Sequence, residues 1–234
     1  MSATNLVLWG HTIADYQEMF DLTATELDQR IIDCCPGPAS FNADMALQHK
    51  TVIATDPMFS LELPVLKSRI NDEFQAMLHR VQIEEERFNW EKISSPDELA
   101  RIRQQGINHF FKDFSNGLAE GRYLAEDITK LSFDDFSFDI AVCSHYLFGG
   151  RSDESVEFHL QAIEEMARVA AEVRIFPLVD SHGETSPLVG PILLALQQQH
   201  YGAEVRSVPY QFQKKGNAML RVWAHKCDIQ QKKN

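Results

Sequence analysis

Arg30-Ile-Ile-Asp-Cys-Cys-Pro-Gly-Pro-Ala39, then a helical stretch, then Thr51-Val-Ile-Ala-Thr-Asp56, reads as strand, tight turn, helix and a second strand ending in a carboxylate. That order puts a turn and an acid at the carboxyl ends of parallel strands, where α/β folds hold an adenosine-containing cofactor. Gly37 removes a side chain where the backbone turns sharply and nears a ligand, and Asp56 sits where two ribose hydroxyls can donate to a carboxylate. Asp33, at the end of the first strand, either positions the turn or reaches the ligand through water. The glycine pattern is thin. Cys35 and Ala39 stand where a full GxGxG turn has glycines, so a pyrophosphate cradle is poorly specified and a phosphate-free cofactor fits more easily.

Working outward, strands are expected at 31–35 and 51–55, with a helix at 40–48 between them and an N-terminal helix at 13–28 carrying Tyr16, Met19 and Phe20. The next strand, at 122–125, lies far beyond an ordinary connection, so a structured helical insertion is expected at 60–118 within a single domain of 1–234. Leu63, Leu66, Ile70, Phe74, Met77 and Val81 give one long helix an apolar face. Ser95-Pro96-Asp97-Glu98 announces a second, with Ser95 as cap, Pro96 at the first helical position and Glu98 closing a capping box; Leu99, Ile102, Phe110 and Phe114 mark its stripe. The pair forms either a cap over the strand ends or a brace against the sheet.

Beyond the insertion, Tyr123-Leu-Ala-Glu-Asp127-Ile128 is a short strand running into carboxylates, and Phe138-Asp-Ile-Ala-Val-Cys-Ser144 is a near-continuous apolar strand suited to a parallel sheet. A helix at 153–170, a strand at 173–176 and a helix at 187–201 follow. Residues 203–208, 210–214 and 218–225 alternate around Lys215-Gly216-Asn217, as an antiparallel return to the sheet does.

The 234 residues are 44% apolar, enough for one substantial core, and 34 Asp and Glu against 22 Lys and Arg give a formal charge of −12. That balance disfavours binding to nucleic acid or an anionic membrane; Lys232 and Lys233 are only a short basic tail. No run approaches ~20 uninterrupted apolar residues and no basic leader opens the chain, so a cytoplasmic protein is expected. Four cysteines make no secreted disulfide framework. Cys34, Cys35, Cys143 and His145 lack CxxC or HExxH spacing, so no metal site is expected; Cys227 is near the tail.

Gly37-Pro-Ala-Ser-Phe-Asn-Ala43, Ser144-His-Tyr-Leu-Phe148, Val173-Arg-Ile-Phe-Pro-Leu178, Tyr210-Gln-Phe-Gln213 and Gly216-Asn-Ala-Met-Leu220 carry a family resemblance. Over roughly residues 12–225 the chain resembles a class I S-adenosylmethionine-dependent methyltransferase, and looks especially like an uncharacterised bacterial branch of that superfamily. The resemblance implies a Rossmann-like three-layer αβα sandwich with a seven-stranded, mostly parallel sheet whose last strand is antiparallel. It implies S-adenosylmethionine as cofactor, held by Asp33, Cys34, Cys35, Pro36, Gly37, Asp56, Pro57, Asp127, Ile128 and Ser144. The segment matching 33–39 cradles the amino-acid part, the residue matching Asp56 the ribose, and that matching Asp127 the adenine amine; the backbone matching Ile128 pairs with an adenine nitrogen. Ser144 and His145 then lie beside the cofactor.

The chemistry implied is in-line transfer of a sulfonium methyl group to a nucleophile, with the protein supplying alignment and a base where the nucleophile arrives protonated. His145 is the candidate base, since an imidazole titrates near neutral pH, and Tyr146 a candidate for orienting substrate. The acidic balance favours a small-molecule acceptor; oligomeric state is open. A noncatalytic regulatory or assembly protein on the same fold, and a nicotinamide or flavin oxidoreductase, are the competing readings. His182, Trp90, Phe110, Phe111 and Phe114 are further candidates for lining a substrate pocket, with loop and core roles as their plain alternatives. Asp180-Ser181-His182 is no hydrolase triad, because consecutive residues seldom converge in space.

Overall fold

A computed structural model describes residues 9–180 and 182–224. Ser181, His225, Cys227, Lys232 and Lys233 lie outside the described residues. The strands are β1 (Ile31–Cys34), β2 (Val52–Thr55), β3 (Tyr123–Leu124), β4 (Phe138–Ser144), β5 (Ala170–Phe176), β6 (Tyr201–Ser207) and β7 (Ala218–Ala224). They form one sheet in the order β3-β2-β1-β4-β5-β7-β6. Strands β1 to β5 pair in parallel, and β7 runs antiparallel to both β5 and β6. All four residues of β1 are buried, as a central parallel strand covered on both faces requires.

The helices are α1 (Ile13–Phe20), α2 (Phe41–Leu47), α3 (Leu63–Ile83), α4 (Pro96–Ala119), α5 (Val156–Val169) and α6 (Val189–Gln198). Two apolar cores lie on opposite faces of the sheet. One joins Ile31, Val52 and Val142 to Phe20, Phe41, Phe110 and Phe114; the other joins Ile32, Cys143 and Val173 to Ile163, Met166 and Ile192. The three-layer α/β sandwich, the mostly parallel seven-stranded sheet and the helical insertion after β2 are therefore as the sequence leads one to expect.

Several boundaries differ, each for a local reason. The first helix stops at Phe20 because Asp21 turns left-handed at φ 49° and Glu26 binds the Thr23 N–H and hydroxyl, starting a separate turn. The Ser95 hydroxyl caps α4 by accepting from the Glu98 N–H at 3.2 Å, but the Glu98 carboxylate returns to Ser94, not Ser95. Residues 210–214 form no strand beside β7. Their backbone pairs instead with the segment after α3, through Asn89 N–H to Phe212 C=O at 2.7 Å and Lys214 N–H to Arg87 C=O at 3.1 Å. The segment before α1 is seated on α4, where Gly10 (φ 56°) meets Gly106 so closely that a Cβ on Gly106 would lie 2.1 Å from the Gly10 carbonyl oxygen.

Candidate active site

The strand order reverses between β1 and β4, which run side by side but lead to opposite halves of the sheet. The crevice outside the carboxyl ends of such strands is where open α/β sheets bind ligands. Both ends finish in a non-glycine residue in the left-handed region, Cys35 at φ 56° after β1 and His145 at φ 56° after β4. L-residues pay of order 1–2 kcal/mol to sit there, a strain found most often at functional sites. Cys35 thus adopts a glycine's conformation although it carries a Cβ, and Gly37 follows at φ 60°.

Around this turn the acids are buried. The Gly37 N–H donates to Asp56 Oδ2 at 3.1 Å and the Met58 N–H donates to Asp56 Oδ1 at 2.9 Å, so Asp56 pins the β1 turn to the end of β2. Burial raises the Asp56 pKa to about 6 against the pull of those two N–H groups. Asp33 is 1% exposed and its Oδ1 has no partner among the described residues. Burial and the charge of Asp56 raise its pKa to about 8, with the Tyr16 hydroxyl bond acting the other way. Tyr16 also meets Ser144 Oγ at 3.4 Å, linking the ends of β1 and β4. Burial pushes the thiols of Cys34, Cys35 and Cys143 up, making them inert at neutral pH.

The remaining cofactor candidates are placed less uniformly. Pro36 is half-buried, Pro57 is exposed at the first position of a short helical turn, and Ile128 is buried in the second core. Asp127 is exposed, and its Oδ1 accepts from the Thr129 N–H and hydroxyl, a turn-forming role. Tyr146, half-buried, packs against the second core, which contains Cys35, with the Arg151 guanidinium 5.6 Å from its ring centroid; burial, then Cys35 and Asp56, push its hydroxyl pKa up.

His145 faces the opposite way. Its ring stacks on His11 at 4.7 Å between centroids and contacts Trp9 at 5.8 Å and Phe176 at 5.5 Å. Burial first, then the charges of His11 and Arg103, lower its pKa well below that of a free imidazole, so it is a neutral ring and not the near-neutral titrating group its residue type suggests. Burial and Arg103 likewise lower His11 to about 4. Behind the two rings Arg103, wholly buried, donates to Asp15 at 2.7 Å and to the Tyr210 hydroxyl at 2.9 Å. Trp9, His11, Asp15, Arg103 and Tyr210 come from the segment before α1, from α1, from α4 and from the β6–β7 loop. Sequence reading missed all of them as site residues, yet Arg103 carries a signal. The apolar stripe Leu99, Ile107, Phe110, Phe114 passes through it, whereas Ile102, read as part of that stripe, is half-buried.

A cleft of about 240 Å³ opens beside His145 and Trp9, lined by apolar Met77, Val81, Phe88, Pro177 and Val179 and by charged side chains from the end of α3 and the turn after it, from Asp180 and Glu184, and from Lys214 and Lys215. Phe110, Phe111 and Phe114 belong instead to an aromatic cluster with Phe59 and Tyr123, and Trp90 packs on Phe88 and Phe212. The side chain of His182 is exposed. Among the described residues no group of three metal-ligating side chains gathers, and no helix is long and apolar enough to cross a membrane.

No protein-family model matches the chain. It is similar to an uncharacterized protein of Methanocaldococcus jannaschii, 26% identical over 223 residues that cover 95% of this chain and 98% of the relative. Among solved structures it is similar to magnesium protoporphyrin IX methyltransferase from Synechocystis with bound S-adenosylmethionine (TM-score 0.45, 11% identity, 84% of this chain and 70% of that one). It is also similar to the N-methyltransferase NodS from Bradyrhizobium japonicum (TM-score 0.46, 12% identity, 90% and 94%) and to a TehB-like S-adenosylmethionine-dependent methyltransferase from Corynebacterium glutamicum (TM-score 0.46, 14% identity, 85% and 81%). These likenesses single out no branch of the methyltransferases.

Proposed function

We propose that the chain is an S-adenosylmethionine-dependent methyltransferase acting on a small-molecule nucleophile. The observation that carries this reading is the buried Asp33 carboxyl at the β1/β4 reversal, with one oxygen unpartnered beside a turn that keeps its left-handed backbone through Cys35 and Gly37. An unpartnered buried carboxyl calls for a cation, and the amino group of an amino-acid moiety is one. The turn offers backbone to that moiety without requiring a phosphate. When bound, the cofactor supplies an activated methyl group on a good leaving group. Asp33 with the 34–37 turn holds its amino-acid end, Asp56 and Pro57 border the ribose, and Asp127 and Ile128 border the adenine. Ser144, through Tyr16, keeps Asp33 in place. Tyr146 covers the cofactor side, and His145 meets the acceptor from the cleft side as a neutral hydrogen-bonding ring. In this reading α4 braces β3 and α2, while the last turns of α3 cap the cleft.

One observation favours the noncatalytic alternative: both Asp56 oxygens already serve backbone N–H groups. Each retains a free lone pair, so the two readings divide on binding. Thermal unfolding with S-adenosylhomocysteine tests them. A ligand at about 100 times its Kd stabilises by about 2.7 kcal/mol, a shift of several degrees. Gly37→Val, which puts a branched side chain at φ 60°, abolishes that shift. An unshifted midpoint in the unaltered chain moves the noncatalytic reading ahead.

A further inference from the structure

Two of the cleft's lining residues, Trp9 and His145, share a cluster of polar rings with His11, and none of the three has its hydrogen bonds satisfied. Trp9 Nε1, both nitrogens of His11 and His145 Nδ1 are buried without a partner among the described residues. The rings touch one another, with centroids 6.2 Å apart for Trp9 and His11 and 4.7 Å for His11 and His145. Trp9 is 5% exposed and His145 7%, and both line the cleft. Buried polar groups left unpaired cost about 1–3 kcal/mol each, so this cluster is built for a polar group that arrives with a ligand.

The chemistry of that group follows from what faces it. An indole N–H only donates, whereas a neutral imidazole offers one accepting nitrogen. A hydroxyl accepts from the first and donates to the second at once. At the rings a charged head finds no free counter-ion, because Arg103 and Asp15 beside them are paired with each other at 2.7 Å. Among the charged side chains that line the cleft, Arg87 is paired with Glu84 and Lys215 with Glu184, and Arg80, Glu86, Asp180 and Lys214 stand beside them. Stripping a charge of water without a partner is costly. The apolar part of the lining is aliphatic and aromatic, Met77, Val81, Phe88, Pro177 and Val179.

We propose that this cleft binds an uncharged, apolar-bodied hydroxyl compound of the phenol class, its hydroxyl bridging Trp9 Nε1 and His145 Nδ1. As a ligand site the proposal stands on the cleft; as the methyl acceptor, that ligand rests on the methyl-transfer reading. In the transfer the hydroxyl oxygen bonds to the methyl carbon as the carbon–sulfur bond breaks and a neutral thioether leaves. The hydroxyl proton is lost to water at the cleft mouth as the new bond forms, while His145 stays neutral and orients the hydroxyl by its hydrogen bond.

Three isosteric probes test the assignment by calorimetric titration of the unaltered chain: 4-ethylphenol, ethylbenzene and 4-ethylbenzoate. The phenol is expected to bind about tenfold more tightly than either other probe, the worth of one to two hydrogen bonds. Trp9→Phe, which keeps a ring and removes the N–H, is expected to erase most of the phenol's advantage over ethylbenzene. Tightest binding of the benzoate, equal binding of phenol and ethylbenzene, no binding of any probe, or a phenol preference unchanged in Trp9→Phe would overturn the proposal. A parallel titration with S-adenosylhomocysteine separates the two layers. Phenol binding without binding of the sulfur ligand keeps the cleft assignment and removes its role as acceptor site.

Discussion

The Asp33 carboxyl is the most exacting residue in the crevice, and its position has consequences for pH. Its folded-state pKa of about 8 lies above the ordinary aspartate value, so the fold binds a proton there that the unfolded chain does not. That stability is fully present below pH ~4, the ordinary aspartate pKa, and is lost as the pH rises through about 8. Asp33→Asn, which mimics the protonated form, is expected to flatten this component; urea midpoints at pH 6 and 8.5 check it, the variant losing less than the unaltered chain. Binding an ammonium group requires the ionised carboxyl, so affinity for S-adenosylhomocysteine is expected to rise from pH 6 to 8 by up to about tenfold per unit and then level off. The neighbouring Cys35 allows a separate prediction. Valine at φ 56° is expected to cost about 2 kcal/mol or more, whereas glycine, which relieves the backbone but gives up a buried thiol, changes stability by less than about 1 kcal/mol. Thermal midpoints of Cys35→Val and Cys35→Gly report the difference. Gly37 and Asp56 were legible in sequence because turn chemistry and strand-end acids are local signals. Side-chain direction was not. His145 and Tyr146 are consecutive, yet with the left-handed backbone at His145 one ring packs on Trp9, His11 and Phe176 and the other against the second core.

Among the elements, α3 and α4 follow from periodicity and capping, which depend only on residues three or four apart. Their placement depends on contacts far along the chain and had to be observed. The pairing of 87–89 with 212–214 gives the cleft one wall, and residues 210–214 read as a strand only because their alternation satisfies either kind of pairing. The segment carrying Trp9 and His11 shows no regular pattern, and its position is fixed by the Gly10–Gly106 contact and by the Ser40 N–H donating to the His11 carbonyl at 2.8 Å. Gly106→Ala is therefore expected to destabilise by about 1–3 kcal/mol despite alanine's better helix propensity, because backbone meets the new methyl group at 2.1 Å. Chemical denaturation measures the loss. A gain of up to about 1 kcal/mol, the propensity effect alone, would show that the segment does not rest on α4.

At the scale of the whole molecule, the strand-turn-helix units and the antiparallel return were legible as local patterns, whereas the order of the strands in the sheet had to be observed. The antiparallel β7 joins the edge strand β6 to β5, and the reversal between β1 and β4 brings Asp33 and its turn to Ser144 and His145, more than a hundred residues further along the chain. The polar core behind the β1/β4 crevice, built on Arg103, stayed hidden because its partners Asp15 and Tyr210 are brought together only by the folded chain. The central claim is that this crevice is a cofactor site for a sulfonium nucleoside. Calorimetric titration of cofactor-free protein with S-adenosylmethionine and S-adenosylhomocysteine, against NADH and ATP, tests it most directly. The account predicts that both sulfur ligands bind, that the controls do not, that binding at pH 7 releases a proton as Asp33 ionises, and that Asp33→Asn loses the affinity. Absence of binding by either sulfur ligand would contradict it.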